Sequence, residues 1–417
     1  MIALFGVPAT AGDCRILWTR TVPAQPLAAG VSLGGLSDLA AVVGNPGGAS
    51  LWTLTDRGPN GTLERDGRKR RTLLAPDFVP TLLLLGVAGG GDAGTVTVER
   101  TVPLKAATGR PLSGRQPKGR DQPVLTADGK AEVSSDPHGV DPEAVVPLAD
   151  GTFWIAEEYG PSLLHVGDDG RVLGRFLPRD DAAAADGPEV VRSLPADYAL
   201  RRENRGFEAL AAARDGSRLW ALLQSPLDNP APKAARKTGN VRLLAFDPRA
   251  GRPAAEHVYR LGDPAAEGYL TRGAAPDDGK LCAMAALDDT TLLVLEQDDG
   301  GLARLYVASL SDATDTLGWK PSGGGALEET ADLEAAGITP VRKQLVADLG
   351  PLRKKMTKQA DGGEKGGGPL KLEGLAVVDS RHVLIVNDND FGVDGSGSRP
   401  RASLLWMIEL DRSLPGP

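Results

Sequence analysis

Acidic side chains recur in this chain at two fixed places of a repeated pattern, and their types define the chemistry open to it. Asp38, Glu143, Glu208 and Glu373 each stand at the start of a short apolar stretch, and Cys282 fills that place in one further copy. About fifteen residues further on in each copy come Asp56, Glu157 with Glu158, Gln224, Glu296 and Asp388. Carboxylates packed closely repel and raise one another's pKa, so such a cluster needs a cation or basic partners. Hard oxygen donors in number, without His or Cys pairs, select calcium or magnesium over zinc or copper. Calcium is the better match, because it takes six to eight oxygen ligands in a flexible arrangement, and magnesium the lesser one. A lone Asp or Glu at a turn usually caps a backbone N–H and faces water. Recurrence at one repeat position is what argues for a shared centre. Arg57, Arg205 and Lys371 each lie beside a repeat carboxylate, where they either pair with a bound phosphate or neutralise the acidic ring.

For these residues to meet, each repeat must deliver both of its acidic places to one end of a common axis. The clearest copies are DPEAVVPLADGTFWIAEEYGPS from Asp141, GFEALAAARDGSRLWALLQSP from Gly206 and LEGLAVVDSRHVLIVNDNDFG from Leu372, with weaker ones from Leu36 and Leu281. In each, a strand of small apolar residues is followed by a turn and a β-branched or aromatic strand, so a hairpin returns the second acidic place to the level of the first. The copy from Asp141 runs on into SLLHV and RVLGRF, giving four strand candidates between Glu143 and Phe176. That is the content of one propeller blade of about 40 to 45 residues. The expected fold is therefore all-β, a β-propeller with five visible four-stranded blades and room for a sixth around PVLTADGKAEV. RILWTRTV near the N-terminus and ASLLWMIEL near the C-terminus have no partners within their own segments, so they should pair and close the ring. The segments 105–139, 179–205, 265–280 and 312–342 read as loops or excursions, and QADGGEKGGG from Gln359 as a flexible loop.

The bulk composition fits this picture. Gly (53) and Pro (32) make up about a fifth of the 417 residues, which suits many short strands joined by turns. A net charge of -8 leaves no basic field for nucleic acid, so an acidic substrate would have to find its positive charge locally. Two cysteines, Cys14 and Cys282, build neither a disulfide framework nor a zinc site and leave at most one bridge. Residues 1–14 read as a signal remnant or a disordered start without a basic n-region, and 15–417 as a single domain. VPTLLLLGVAGG from Val79 is about half as long as a spanning helix, so no transmembrane segment is expected.

Other motifs carry less. GVSLG at Gly30–Gly34 has the letters of a hydrolase elbow without its strand–turn–helix context. His138, His165, His257 and His382 are scattered. DNDFGVDG from Asp388 begins like a calcium loop but has Arg399 where an EF-hand requires Glu.

The segments from Asp141 to Pro178, from Asn204 to Leu227 and from Leu372 to Gly392 resemble the phytase-like family described by its esterase-like activity, and the similarity runs from about Leu36 to Leu410. The resemblance implies a repeated acidic β unit, a phosphomonoesterase or phosphodiesterase activity, a small phosphorylated substrate, and export to the periplasm or medium. Residues 1–14 make no convincing export signal, which leaves the cytoplasm as the alternative. A monomer is expected. The family's acidic positions correspond to Asp56, Glu143, Glu157, Glu158, Glu208, Glu373, Asp388 and Asp390. Glu296 is added from the repeat, although Gln297 stands where the family carries Arg. Glu158, Glu143 and Asp388 are expected to be catalytic, with Arg57, Arg205 and Lys371 on the substrate. The alternatives are a non-catalytic calcium-stabilised propeller that binds a ligand or partner, and a lactonase similar to gluconolactonases.

Overall fold

Short runs of small or β-branched residues, punctuated by turn-forming Gly and Asp, fold into antiparallel sheets of four strands. The structure, a computed structural model, describes residues 14–42, 48–119, 121–181, 187–262, 278–363, 368–393 and 400–415. After an opening strand β1 (Cys14–Thr21), the first sheet contains β2 (Leu36–Val42), β3 (Gly48–Thr55), β6 (Thr81–Ala88) and β7 (Thr95–Pro103). A hairpin of β4 (Asn60–Arg65) and β5 (Arg68–Leu73) is inserted between β3 and β6, and the two-residue strand β8 (Leu125–Thr126) joins its edge. The second sheet is β9 (Pro142–Pro147), β10 (Phe153–Glu157), β11 (Ser162–Val166) and β12 (Val172–Pro178), with β13 (Val190–Leu194) added in parallel to β12. The third is β14 (Phe207–Ala212), β15 (Leu219–Leu223), β16 (Asn240–Asp247) and β17 (Arg252–Arg260). The fourth is β18 (Lys280–Ala286), β19 (Thr291–Gln297), β20 (Ala303–Ser309) and β21 (Arg342–Asp348). One helix, α1 (Gly350–Ala360), precedes the fifth sheet of β22 (Lys371–Val377), β23 (His382–Asp388) and β24 (Leu404–Leu410).

The fourth strand of that last sheet is β1, antiparallel to β24 from Cys14↔Leu410 to Thr21↔Leu404. The two terminal strands therefore pair as their sequences suggest. The first strands of the sheets lie side by side: β2 contacts β9, β9 contacts β14, β14 contacts β18, β18 contacts β22, and β22 contacts β2. The alanines that recur in them, and Gly374 in β22, suit this crowding, since a small side chain lets neighbouring backbones approach. The second strands β10 and β15 are buried along their whole length, and their residues fill the space between sheets. Trp154, Phe176 and Phe246 pack there with ring centroids 5.1 to 5.5 Å apart.

Several expectations need correction. The segment proposed for a sixth blade supplies only β8, which pairs with β5, because β5 offers it a free edge. Within 179–205, expected to be a loop, Val190–Leu194 extends the second sheet. α1 occupies the start of the expected Gln359 loop. Cys14 and Cys282 are not bridged to each other, Cys282 being buried and Cys14 half-buried. The signal-like residues 1–13, most of the 265–280 segment, residues 364–367 of the Gln359 run and the EF-like run beyond Val393 lie outside the described residues. No helix among the described residues is long and apolar enough to cross a membrane.

Candidate functional site

A β-bulge places the first set of carboxylates. In β9 the pairing jumps from Ala144↔Ala156 to Pro142↔Glu157, leaving Glu143 as the extra residue. The same jump leaves Glu208 unpaired in β14, Cys282 in β18 and Glu373 in β22. A bulge bends its strand and re-aims the side chain it carries, here toward the axis shared by the first strands. The second set sits at the ends of the returning strands, where Asp56 N donates to Gly35 O, Glu158 N to Asp141 O and Gln224 N to Gly206 O, all at 2.9 Å. Asp388 faces Lys371 at the same level of the fifth sheet.

Apart from Cys282, these bulge and return residues line one polar cavity of about 300 Å3. It contains Asp56, Glu143, Glu158, Glu208, Glu373, Asp388 and Asp390, and also all three predicted cations, Arg57, Arg205 and Lys371. At its second-sheet corner, carboxylate oxygens of Asp141, Glu143 and Glu158 all lie within 4.8 Å of one another. Arg57 holds this corner in place. Its backbone N–H donates to Asp141 at 3.0 Å, and its guanidinium donates to Asp141, to Glu158 at 3.5 Å and to Asn204 at 2.6 Å. Across the cavity, the Lys371 ammonium donates to Asp388 at 3.0 Å and also to Asp390. Glu208 accepts from Gln224 through Oε1, whereas its buried Oε2 has no hydrogen-bond partner.

The electrostatics follow from this crowding. Burial, then Glu208 and Asp141, pushes the Glu143 carboxyl well up, and burial with Glu158 and Glu373 does the same to Glu208. Burial and Asp388 push Asp56 well up. Burial raises Asp141 and Glu373 to about 8 and Asp388 to about 6. Repulsion among desolvated carboxylates is the condition a bound cation relieves. The donor set is all oxygen, three carboxylates converge, and one further carboxylate oxygen has no partner, so these residues fit a hard divalent cation.

Two predicted ligands lie elsewhere. Glu157 is fully buried and turned away from the cavity, accepting from Tyr159 N and Gly160 N at 2.8 Å, from Ser162 Oγ at 2.6 Å and from Arg175 at 3.2 Å. Glu296 is likewise fully buried and accepts from Tyr259 Oη and Lys343. Both sit one residue before the cavity position, and a one-residue step along a strand points a side chain to the opposite face. In the fourth sheet that position belongs to Gln297, which bonds Cys282 Sγ at 2.8 Å and Leu372 O at 3.0 Å. Asp38 is displaced for a related reason. Pairing in the first sheet jumps from Ser37↔Leu54 to Ala40↔Trp52, so the bulge falls one residue late. The Asp38 backbone has φ +63°, and its carboxylate accepts from Leu39 N at 2.8 Å and Val145 N at 2.9 Å, at a second cavity lined by the far ends of the first strands.

Asp141, Arg71, Asn204 and Lys280 border the cluster without having been singled out. Asp141 was the most legible of them, because it stands two residues before Glu143 at the opening of the same repeat. Arg71 comes from the β4–β5 hairpin and donates to Asn204. None of the four histidines lines the cavity.

The sequence profile of the family described as esterase-like activity of phytase matches residues 31–391. The chain belongs to the phytase-like family. A secreted protein of Arthroderma benhamiae is 27% identical to this phytase-like chain over 237 residues, covering 50% of the chain and 46% of the relative. The chain thus spans about half the length of the curated relative it matches. Among solved structures, the PQQ-bound aldose sugar dehydrogenase of Streptomyces coelicolor is similar at 13% identity and a TM-score of 0.36, over 97% of this phytase-like chain and 100% of the dehydrogenase. The calcium-binding protein regucalcin of Agrobacterium tumefaciens is similar at 12% identity and a TM-score of 0.32, over 97% of both chains.

Proposed function

We propose that this phytase-like protein is a calcium-dependent hydrolase of phosphomonoesters or phosphodiesters, built as one domain over residues 15–417. The proposed fold is a five-bladed propeller whose ring is closed by β1 on β24. The observation that carries the functional reading is the meeting of Asp141, Glu143 and Glu158 oxygens within 4.8 Å at the wall of a cavity that Glu143 and Glu158 line together with Arg57, Arg205 and Lys371. Acidic residues alone would suit a structural ion. Acidic and basic residues in one open cavity suit an ion together with an anionic substrate.

In this reading Glu143 and Glu158, with Asp141 behind them, hold the cation, and Asp56, Glu208, Glu373 and Asp390 complete its surroundings. When bound, calcium neutralises phosphate oxygens and acidifies water. Arg57 fixes the orientation of Asp141 and Glu158 through the bonds described above. Asp388, with one oxygen on Lys371 and the other on Asp390 N at 2.6 Å, is held rigidly and, at about 6, is ionised at neutral pH, so it accepts the proton of the attacking water. Arg205 and Lys371 take the phosphate oxygens. Export to the periplasm or medium is proposed on the strength of the family and the secreted relative. The working unit is proposed to be a monomer.

The test is release of p-nitrophenol from its phosphate monoester and bis-ester by protein loaded with calcium, with magnesium or with chelator. Activity with calcium that chelator abolishes is the expected result. Calcium binding without hydrolysis of either ester would favour the non-catalytic propeller, and acid release from lactones would favour the lactonase.

A further inference from the structure

We infer that the fourth sheet is the anion-binding side of the cavity, and that Lys280 makes the site prefer a dianionic phosphomonoester to a diester. The inference rests on the phosphoester reading above. At the level of the return-strand residues, the first strands present Gly35, Asp141, Gly206, Lys280 and Lys371 in sheet order. The ring is therefore polarised, with an acid on the second sheet and lysines on the fourth and fifth. The fourth sheet also withdraws from metal binding. Its bulge residue is Cys282, and its return residue Gln297 is bonded to Cys282 and to the neighbouring strand, so neither offers the cavity a carboxylate.

The two lysines differ in how firmly they are held. Lys371 is bonded to Asp388 and Asp390, both buried. Lys280 is paired at 2.6 Å with Asp299, whose side chain is 81% exposed. An exposed ion pair contributes little, so Lys280 can exchange Asp299 for a stronger anion at small cost. Beside it in the cavity, Arg205 has a buried Nη1 with no hydrogen-bond partner, a donor suited to an acceptor brought by the ligand. A monoester carries one more negative charge than a diester, and a second cation opposite the carboxylate corner stabilises that extra charge selectively.

The experiment compares parent, Lys280→Gln, Lys280→Arg and Asp299→Asn proteins with calcium present, measuring inorganic phosphate affinity by titration calorimetry and kcat/KM on p-nitrophenyl phosphate and its bis-ester. Lys280→Gln should weaken phosphate binding about ten-fold and lower the monoester-to-diester ratio by about the same factor, with calcium affinity unchanged. Lys280→Arg should restore most of both. Asp299→Asn, at an exposed position, should strengthen phosphate binding about three-fold by releasing the lysine. Unchanged affinity and ratio in Lys280→Gln and Asp299→Asn, in a parent that hydrolyses phosphoesters, would overturn this inference and leave the reaction standing. A calcium-loaded parent that neither binds phosphate nor cleaves either ester would overturn the reaction itself.

Discussion

Glu157 and Glu158 are consecutive residues whose carboxylates belong to different structures. Glu157 closes a buried turn over Tyr159, Gly160 and Ser162 and pairs with Arg175, whereas Glu158 enters the polar cavity beside Asp141. Replacement should separate the two roles. Glu157→Ala leaves Arg175 charged and unpaired in the interior and should lower stability by about 3–5 kcal/mol in denaturant titration. Glu158→Gln should leave the melting temperature of chelated protein unchanged or slightly higher. It should lower phosphoester hydrolysis by at least ~100-fold, equivalent to about 2.7 kcal/mol of transition-state stabilisation. A Glu158→Gln protein that turns over at the parent's rate would remove this residue from the mechanism.

The pH dependence of stability should have an unusual sign when metal is withheld. Asp141 and Glu373, raised to about 8 by burial, and Asp388, raised to about 6, bind protons more tightly folded than unfolded. Their contribution is complete below the unfolded values of about 4 and is lost as pH rises toward 8. Melting temperature in chelator should therefore fall steadily from pH 5 to pH 8. Saturating calcium, which binds the ionised forms, should flatten or reverse that slope. Identical pH profiles with and without calcium would show that these carboxylates do not share a metal.

Gly206 stands where the third sheet meets Glu158. A Cβ there would collide with the Glu158 carbonyl oxygen and lie 2.6 Å from its Cα. Gly206→Ala should push the Glu158 backbone outward, destabilising the protein by about 1–3 kcal/mol. It should also reduce calcium affinity in titration although no ligand has been changed. A loss of stability with calcium affinity intact would show that the Glu158 backbone has room to yield.

How much of this was legible in the sequence depended on spacing. The five repeats, the hairpin return and the pairing of the chain ends follow from runs such as PEAVVP and FWIAE, whose pattern survives small errors of alignment. The facing of individual carboxylates does not survive them. Glu296 and Asp38 were assigned to the ring because they are the acids at about the right spacing, yet a late bulge in β2 and the position of Gln297 turn both away. Bulges are set by backbone sterics around single residues and leave no period to read. α1 was missed because GPLRKKMTKQA has few apolar residues, and only Arg353, Met356 and Ala360 of its length are buried. Arg71 and Asn204 reach the cavity from insertions whose placement is decided by tertiary packing alone.

Removal of residues 14–21 should test the proposed closure. β24 would keep β23 but lose its other antiparallel partner along seven paired positions, exposing an apolar edge. The expected result is a large drop in melting temperature with aggregation, measured by calorimetry and light scattering. A truncated protein that melts as the parent does would mean that β1 is an accessory strand.

The pairing of β1 with β24 also orders events during synthesis. Arg15 and Glu409, which form an ion pair across these strands, are 394 positions apart. β1 therefore waits for a strand synthesised far later, while the sheets between them assemble from nearby segments. Contacts at such separation bear the largest loop-closure entropy and form late. Until that step β1, with Leu17 and Trp18, lacks the strand it pairs with, and β24, with Leu405 and Trp406, is held by β23 on one edge and open on the other. A folding helper that recognises apolar extended segments has its natural target there, and a chain stalled before Leu404 stays unlatched however complete its cavity.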